Sequence, residues 1–158
     1  MKVLSMTQPW AFLVVYAIKH WETRSWRTAY RGPLAIHAAK AYPKEAREFA
    51  FEIFFELAKK GGTHPDLDAH PLLQPAIIPA LVVADRIVRG AIIGSVELTD
   101  CVRVETIREL LSPTEIKLGN YSDGRYAWKL TNQRWFRKPI PAKGALGLWE
   151  CKIALGER

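Results

Sequence analysis

The stretch Lys19-His20-Trp21-Glu22-Thr23-Arg24-Ser25-Trp26-Arg27 holds the densest chemistry in the chain. If the backbone is extended here, Glu22 and Arg24 project from one face of a strand, roughly 7 Å apart by strand rise. Lys19, at the end of the preceding element, can reach the same spot. A carboxylate between two cations is held ionised and orients both, which is one way to aim a lysine and an arginine at a phosphate or carbonyl oxygen. The same spacing is also that of a surface ion-pair network of little energetic consequence. Glu22 is the only acidic residue in the first 44 positions, so it is the only nearby group able to move a proton beside Lys19.

Other residues invite weaker readings. His37 alternates out of an apolar strand pattern and could serve as a general base, as an RNA contact, or only as a hydrogen-bonded side chain. His64 and His70 with Asp66 and Asp68 have the residue types of a metal site, but lie in a stretch with no regular spacing to fix a geometry. No metal is expected there. Cys101 and Cys151 stand 50 positions apart with no Cys-x-x-Cys spacing, and are expected as buried thiols. No G-x-S-x-G elbow, dinucleotide fingerprint or P-loop occurs.

The elements that must position these residues follow from pattern. Thr7 stands as an N-cap, and Trp10, Leu13, Val14, Ala17 and Ile18 share one face, predicting a helix over 8–18. Leu34, Ile36 and Ala38 predict a strand with His37 facing outward. Pro43 followed by 17 residues without glycine or proline, then Gly61-Gly62, predicts a helix over 43–60. Two stripes on it, Phe49/Ile53/Leu57 and Phe51/Phe54/Phe55/Ala58, read as core. Positions 61–79 read as a long irregular connection. Strands are predicted over 86–104, bent at Gly90 and Gly94, over 124–130 and over 146–153, with a short helix over 106–111. Five or six short strands with glycine bends suit a small closed or partly closed barrel, which hides its edges. Trp10, Trp128 and Trp149 fit packing positions, whereas Trp21 and Trp26 fit either packing or base stacking.

Length and charge bound the rest. The chain has 158 residues, enough for one domain over 1–158 with its own core. A polar Ser5-Met6-Thr7-Gln8-Pro9 stretch interrupts the start where a signal peptide needs its apolar block, and no run is long enough for a membrane helix, so a cytoplasmic protein is expected. Net charge is +7. Residues 1–47 carry eight basic and two acidic groups and residues 103–143 nine and four, around an acidic middle. If the fold joins the two basic segments, one positive face results that suits an anionic partner. Arg27, Arg31 and Lys40 lie nearest the trio in sequence, with Arg125, Lys129, Arg134, Arg137 and Lys138 as further candidates.

Five blocks in order resemble the ASCH domain family, which is related in fold to the PUA-like barrels. They are Leu4-Ser5-Met6-Thr7-Gln8-Pro9-Trp10; Ile18-Lys19-x-x-Glu22-x-Arg24-Ser25-Trp26; Arg31-Gly32-Pro33-Leu34-Ala35-Ile36-His37-Ala38; Tyr121-Ser122-x-Gly124-Arg125-Tyr126-Ala127-Trp128; and Gly144-x-x-Gly147-Leu148-Trp149. The hallmark G-x-K-x-x-E-x-R is met by Lys19, Glu22 and Arg24, with Ala17 in place of the glycine. The resemblance implies an α+β, β-rich fold: a PUA-like barrel of about five or six strands with flanking helices and a basic cleft lined by the hallmark residues. It implies RNA or other single-stranded nucleic acid, or a nucleotide or nucleoside, as partner; together with the basic and aromatic residues near the hallmark and in the matching blocks, the expected contacts are Lys19, Arg24, Trp26, Arg27, Arg31, Lys40, Ser122 and Arg125.

Some small relatives hydrolyse acetylated cytidine or RNA, but the amidohydrolases carry threonine where this chain has Glu22. A binding module is therefore the leading expectation and a hydrolase using Lys19, Glu22 and Arg24 the alternative. A protein-interaction domain with a positive face is a third. No cofactor is expected, apart from Mg2+ if the chain is a nuclease.

Overall fold

The computed structural model describes residues 1–59 and 86–153, without the side chains of residues 58 and 59. The 61–79 connection, with His64, Asp66, Asp68 and His70, lies outside the described residues.

The first strand, β1 (Lys2–Met6), leads into a short helix α1 (Trp10–Val15), then β2 (Trp21–Arg24), β3 (Gly32–Ala38) and the long helix α2 (Lys44–Lys59). After the gap come β4 (Ala91–Arg103), α3 (Val104–Ile107) continuing into a 3-10 turn at Arg108–Leu110, α4 (Pro113–Lys117), β5 (Tyr126–Pro141) and β6 (Leu148–Glu150). The six strands form one sheet in the order β2-β5-β4-β3-β1-β6, antiparallel except for β1 with β3. It curls into a half-barrel flanked by helices, an α+β fold of the PUA-like kind, as expected.

Both faces of the central strands are covered. Leu34, Ile36 and Ala38 point into the barrel against Ala11, Val14 and Val15 of α1, with Trp128 and Leu130 of β5 closing the same cluster. Ala35 packs on the other face with Val3 and Ile92. His37 shares that second face and is therefore not outward-facing: it is 2% exposed, and its ring nitrogens lie 3.1 Å from Ser5 Oγ and 3.0 Å from the Ala142 carbonyl. A histidine so enclosed holds the fold together and has no open face for a nucleic acid. Gly144 lies against it, where a Cβ would come within 2.6 Å of His37 Cε1.

The first helix is shorter than its apolar spacing suggests. Thr7 does not cap it; Pro9 takes the N-cap position without a side-chain bond, and Gln8 Oε1 instead accepts from the Phe12 N–H at 3.0 Å. At the other end Ala17 adopts φ 55°, turning the chain so that the Ile18 and Lys19 N–H groups both donate to the Leu13 carbonyl at 2.9 Å. This left-handed position is the one that the hallmark reserves for glycine, and alanine adopts it here at a cost of about 1 kcal/mol.

The long helix is confirmed, but its second stripe is split. Phe54 is buried with Ile53, Ala46 and Ala50 against Leu13 and Leu118, whereas Phe51 and Phe55 are 47% and 44% exposed and stack on each other. One helix face can meet α1 and α4, and these two rings lie off it. Of the one or two strands that 86–104 allows, the structure forms one, the continuous β4 that begins just after Gly90. Gly94 marks a register shift at which α1 comes so close that a Cβ would sit 2.7 Å from Val15 Cγ1. The 124–130 strand continues to Pro141, while the last strand contracts to three residues. Beyond the predicted 106–111 helix, Ser112-Pro113 opens a further one: Ser112 Oγ accepts the Glu115 N–H at 3.1 Å and Pro113 occupies the first turn.

Candidate ligand cleft

The Ala17 turn delivers Lys19 into the interior, and its side chain is only 1% exposed. The ammonium donates to the Trp21 carbonyl and lies 3.4 Å from Glu22 Oε2. The other carboxylate oxygen, Oε1, faces Arg24 Nε at 3.0 Å, an ion-pair contact whose geometry is not that of a directed hydrogen bond. Glu22 and Arg24 share one face of β2, as their spacing predicts. An Arg24 terminal nitrogen, Nη2, donates to the Ser5 carbonyl of β1 at 3.0 Å. The trio is therefore no exposed surface network: Lys19 and Glu22 are both buried, and Arg24 retains 25% side-chain exposure.

What steadies this corner is Glu115, which the sequence reading did not single out. Its carboxylate, 7% exposed, accepts the His20 N–H at 3.1 Å, the Trp21 N–H at 3.0 Å and the Tyr121 hydroxyl at 3.4 Å. Those backbone donors open β2, whose sheet partner is β5 alone, so the carboxylate fixes the segment whose Trp21 carbonyl receives Lys19. The readable signal was Ser112-Pro113-x-Glu115, a helix-start pattern. Burial raises the Tyr121 pKa, reinforced by the negative charges of Glu115 and Glu22.

A cleft of about 390 Å³ opens above the Lys19–Glu22 pair, between α1, α2, α4 and β2. Trp10, Phe49, Thr23, Lys117 and Asn120 are among its walls. Trp10 stacks on Phe49 with ring centroids 5.1 Å apart and donates to the Leu118 carbonyl, so it does pack, while also presenting surface to the cleft. Lys117 is held by Glu52 and Glu56 at 3.2 and 2.8 Å.

The remaining sequence candidates divide by position. Arg125 donates to the Thr23 and Asn120 carbonyls, both at 3.1 Å, which brings it to the cleft wall, and Ser122 bonds the Asn120 side chain beside it. Trp26 packs edge-on against Trp128 at 4.7 Å and does not line the cleft. Trp21 is half-buried beneath the Lys129 ammonium. Arg27, Arg31 and Lys40 are exposed and away from the cleft walls, with Arg31 paired to Asp100 at 3.5 Å. Trp128 is fully buried and Trp149 packs on the far side of the sheet, both as expected. Cys101 is buried, whereas Cys151 is half-buried. Among the described residues no cluster of three His, Cys, Asp or Glu could hold a metal, and no helix is long and apolar enough to cross a membrane.

Residues 4–140 match the ASCH domain family. The chain belongs to it. Among curated proteins this ASCH domain is similar to activating signal cointegrator 1 of Mus musculus, at 28% identity over 147 residues, and to the Homo sapiens protein of the same name at 27%. Each match covers 93% of this chain but 22% of the longer relative, so the ASCH domain spans about a fifth of their length. Among solved structures it resembles the ASCH protein of Zymomonas mobilis, with a TM-score of 0.50 at 16% identity over 96% of this chain and 87% of that one. That likeness is one of fold. Of the hallmark residues, Lys19 and Glu22 line the cleft of this ASCH domain, whereas Arg24 stands behind Glu22 and is not among the lining residues.

Proposed function

We propose that this ASCH domain binds single-stranded RNA and seats one nucleotide in the cleft above Lys19 and Glu22. The observation that carries this reading is the state of Lys19. An ammonium out of water is costly unless its donors are used. One is directed to the Trp21 carbonyl, while the Glu22 carboxylate balances the charge from 3.4 Å without a directed hydrogen bond. No further partner meets the ammonium among the described residues, and Lys19 lines the cleft. A ligand oxygen, from phosphate, sugar or base, would complete it. Trp10 and Phe49 supply aromatic surface of the kind on which bases rest. The Arg24 guanidinium is engaged by Glu22 and Ser5, so Lys19 contacts ligand directly while Arg24 holds the carboxylate in place.

Glu22 supports a second reading. A buried carboxylate 3.4 Å from a buried ammonium, in a cleft of small-molecule size, is also the pairing of a general acid or base with an oxyanion stabiliser. In that reading the chain hydrolyses RNA or an N-acylated cytidine.

One set of measurements separates the two. Binding of short single-stranded RNA is compared for wild type, Lys19→Met and Glu22→Gln, and the same proteins are assayed for turnover of RNA and N-acylated cytidines with and without magnesium. A binding module predicts that Lys19→Met weakens affinity at least about tenfold, the worth of one charge-assisted hydrogen bond, while Glu22→Gln leaves it equal or higher. Unchanged affinity in Lys19→Met would defeat the cleft assignment. Turnover by wild type that falls about 10²–10⁴-fold in Glu22→Gln would establish the hydrolase instead.

A further inference from the structure

Three segments meet at the end of the sheet where β3 stops, β4 begins and β5 stops. Ala38 pairs with Ala91, and Ala91 pairs with Pro141. The Gly90 N–H donates to the Ala38 carbonyl at 2.7 Å, and the Ala142 N–H to the Gly90 carbonyl at 3.1 Å. None of these segments carries an acid: the sequence has no Asp or Glu between Glu22 and Glu45, between Arg86 and Val96, or between Asp123 and Glu150. All three carry cations.

Lys40, Arg137, Lys138 and Lys143 are exposed here, with Arg134 exposed four β4 residues further along opposite Ser95, and none has a carboxylate within 4 Å among the described residues. Several cations elsewhere are neutralised, Lys2 by Glu150, Lys44 by Glu48, Arg108 by Asp123 and Lys117 by Glu52 and Glu56, whereas Arg27, Lys129 and Lys152 are exposed without a carboxylate partner among the described residues but stand apart from this group in sequence. The register shows why Arg137 and Lys138 stand out. Arg134 faces Ser95 and Ile140 faces Ile92, so six steps of β5 run against three of β4, and the surplus residues bulge from the ladder.

This end adjoins the cleft. Gln8, two residues before the cleft-lining Trp10, donates to the Val88 carbonyl at 2.8 Å, and the neighbouring Arg89 donates to the Lys40 carbonyl.

We infer that the acid-free sheet end formed by Lys40, Arg134, Arg137, Lys138 and Lys143 is a second contact surface, which holds the phosphate backbone of an RNA strand leaving the cleft. The inference rests on the RNA reading of the cleft and extends it from one nucleotide to a strand. A polyanion is the fitting occupant because several cations without carboxylate partners gain most from a ligand whose charges repeat along a chain, each contact releasing condensed counterions.

The test uses the triple variant Arg134→Gln, Arg137→Gln, Lys138→Gln, with an unchanged thermal melt as its folding control. Fluorescence anisotropy with single-stranded RNA of about a dozen nucleotides, and with a trinucleotide, is followed from about 50 to 300 mM salt. Expected is a weaker long-oligonucleotide complex whose log-affinity against log-salt slope is shallower by about 2, three contacts at about 0.7 each, with trinucleotide binding unchanged. Equal affinity and slope for the long oligonucleotide in wild type and variant would overturn the inference, while persisting trinucleotide binding would leave the cleft reading intact. Anionic vesicles and polyglutamate are run in parallel. If the triple variant loses one of these and not the RNA, the surface belongs to a membrane or an acidic protein and the inference is likewise wrong.

Discussion

Arg24 of β2 donates to the Ser5 carbonyl of β1 at 3.0 Å, although three strands separate β2 from β1 in the order of the sheet. A flat sheet would keep these strands about 19 Å apart, four steps at about 4.8 Å each. The hydrogen bond therefore bridges the two flanks of the curl. It also joins the cleft to the buried cluster in which Ser5 Oγ accepts Trp149 Nε1–H at 3.0 Å and meets His37 Nδ1. Arg24→Ala is expected to lower stability by about 1–3 kcal/mol, because it strips Ser5 of its donor and Glu22 of a counter-charge. Thermal melts check this. A loss confined to RNA affinity, with the melt unchanged, would return Arg24 to the ligand.

Glu115→Gln tests whether the cleft is held from α4. An amide offers one acceptor oxygen where the carboxylate offered two, and its NH2 cannot serve the His20 and Trp21 donors. We expect a loss of about 1–3 kcal/mol in stability together with weaker RNA binding, since the Trp21 carbonyl that receives Lys19 loses its anchor. Denaturant titration and anisotropy on the same samples measure both, and a variant indistinguishable from wild type in each would remove Glu115 from the site.

Ala17→Gly is expected to stabilise. The position needs φ 55°, which glycine adopts freely. Relief of the left-handed cost outweighs the added freedom of the unfolded chain by a net of about 0.5–1 kcal/mol. A rise in the denaturation midpoint at constant slope is the signature, and a fall would mean that the methyl group packs usefully.

Alkaline pH should unfold the domain through its tyrosines. Burial pushes the Tyr16 hydroxyl up to about 12, and burial with Glu115 and then Glu22 raises Tyr121 as well. Because the folded values lie above the unfolded value of about 10, the stabilisation is complete below about pH 10 and is lost as pH rises from there through the folded values. In a spectroscopic titration Tyr16 and Tyr121 should ionise only above the usual tyrosine range, together with the loss of near-UV signal. Early titration of all five tyrosines in a folded protein would contradict this.

The sequence by itself determined what depends on neighbours along the chain. Alternation along β3, the uninterrupted run of α2 and the two-residue step from Glu22 to Arg24 are local periodicities, and the structure keeps each of them. The order of the family's blocks likewise carried the fold class. Tertiary structure alone decided which distant groups meet. That Lys19 is buried rather than displayed, that Glu115 crosses about a hundred positions to the start of β2, and that Arg24 finds Ser5 all follow from how far the sheet curls. His37 and the exposed pair Phe51 and Phe55 make the same point in opposite directions. A polar side chain is enclosed and two apolar ones are not, because burial is set by what packs against a face, and periodicity can name a face without naming its neighbour.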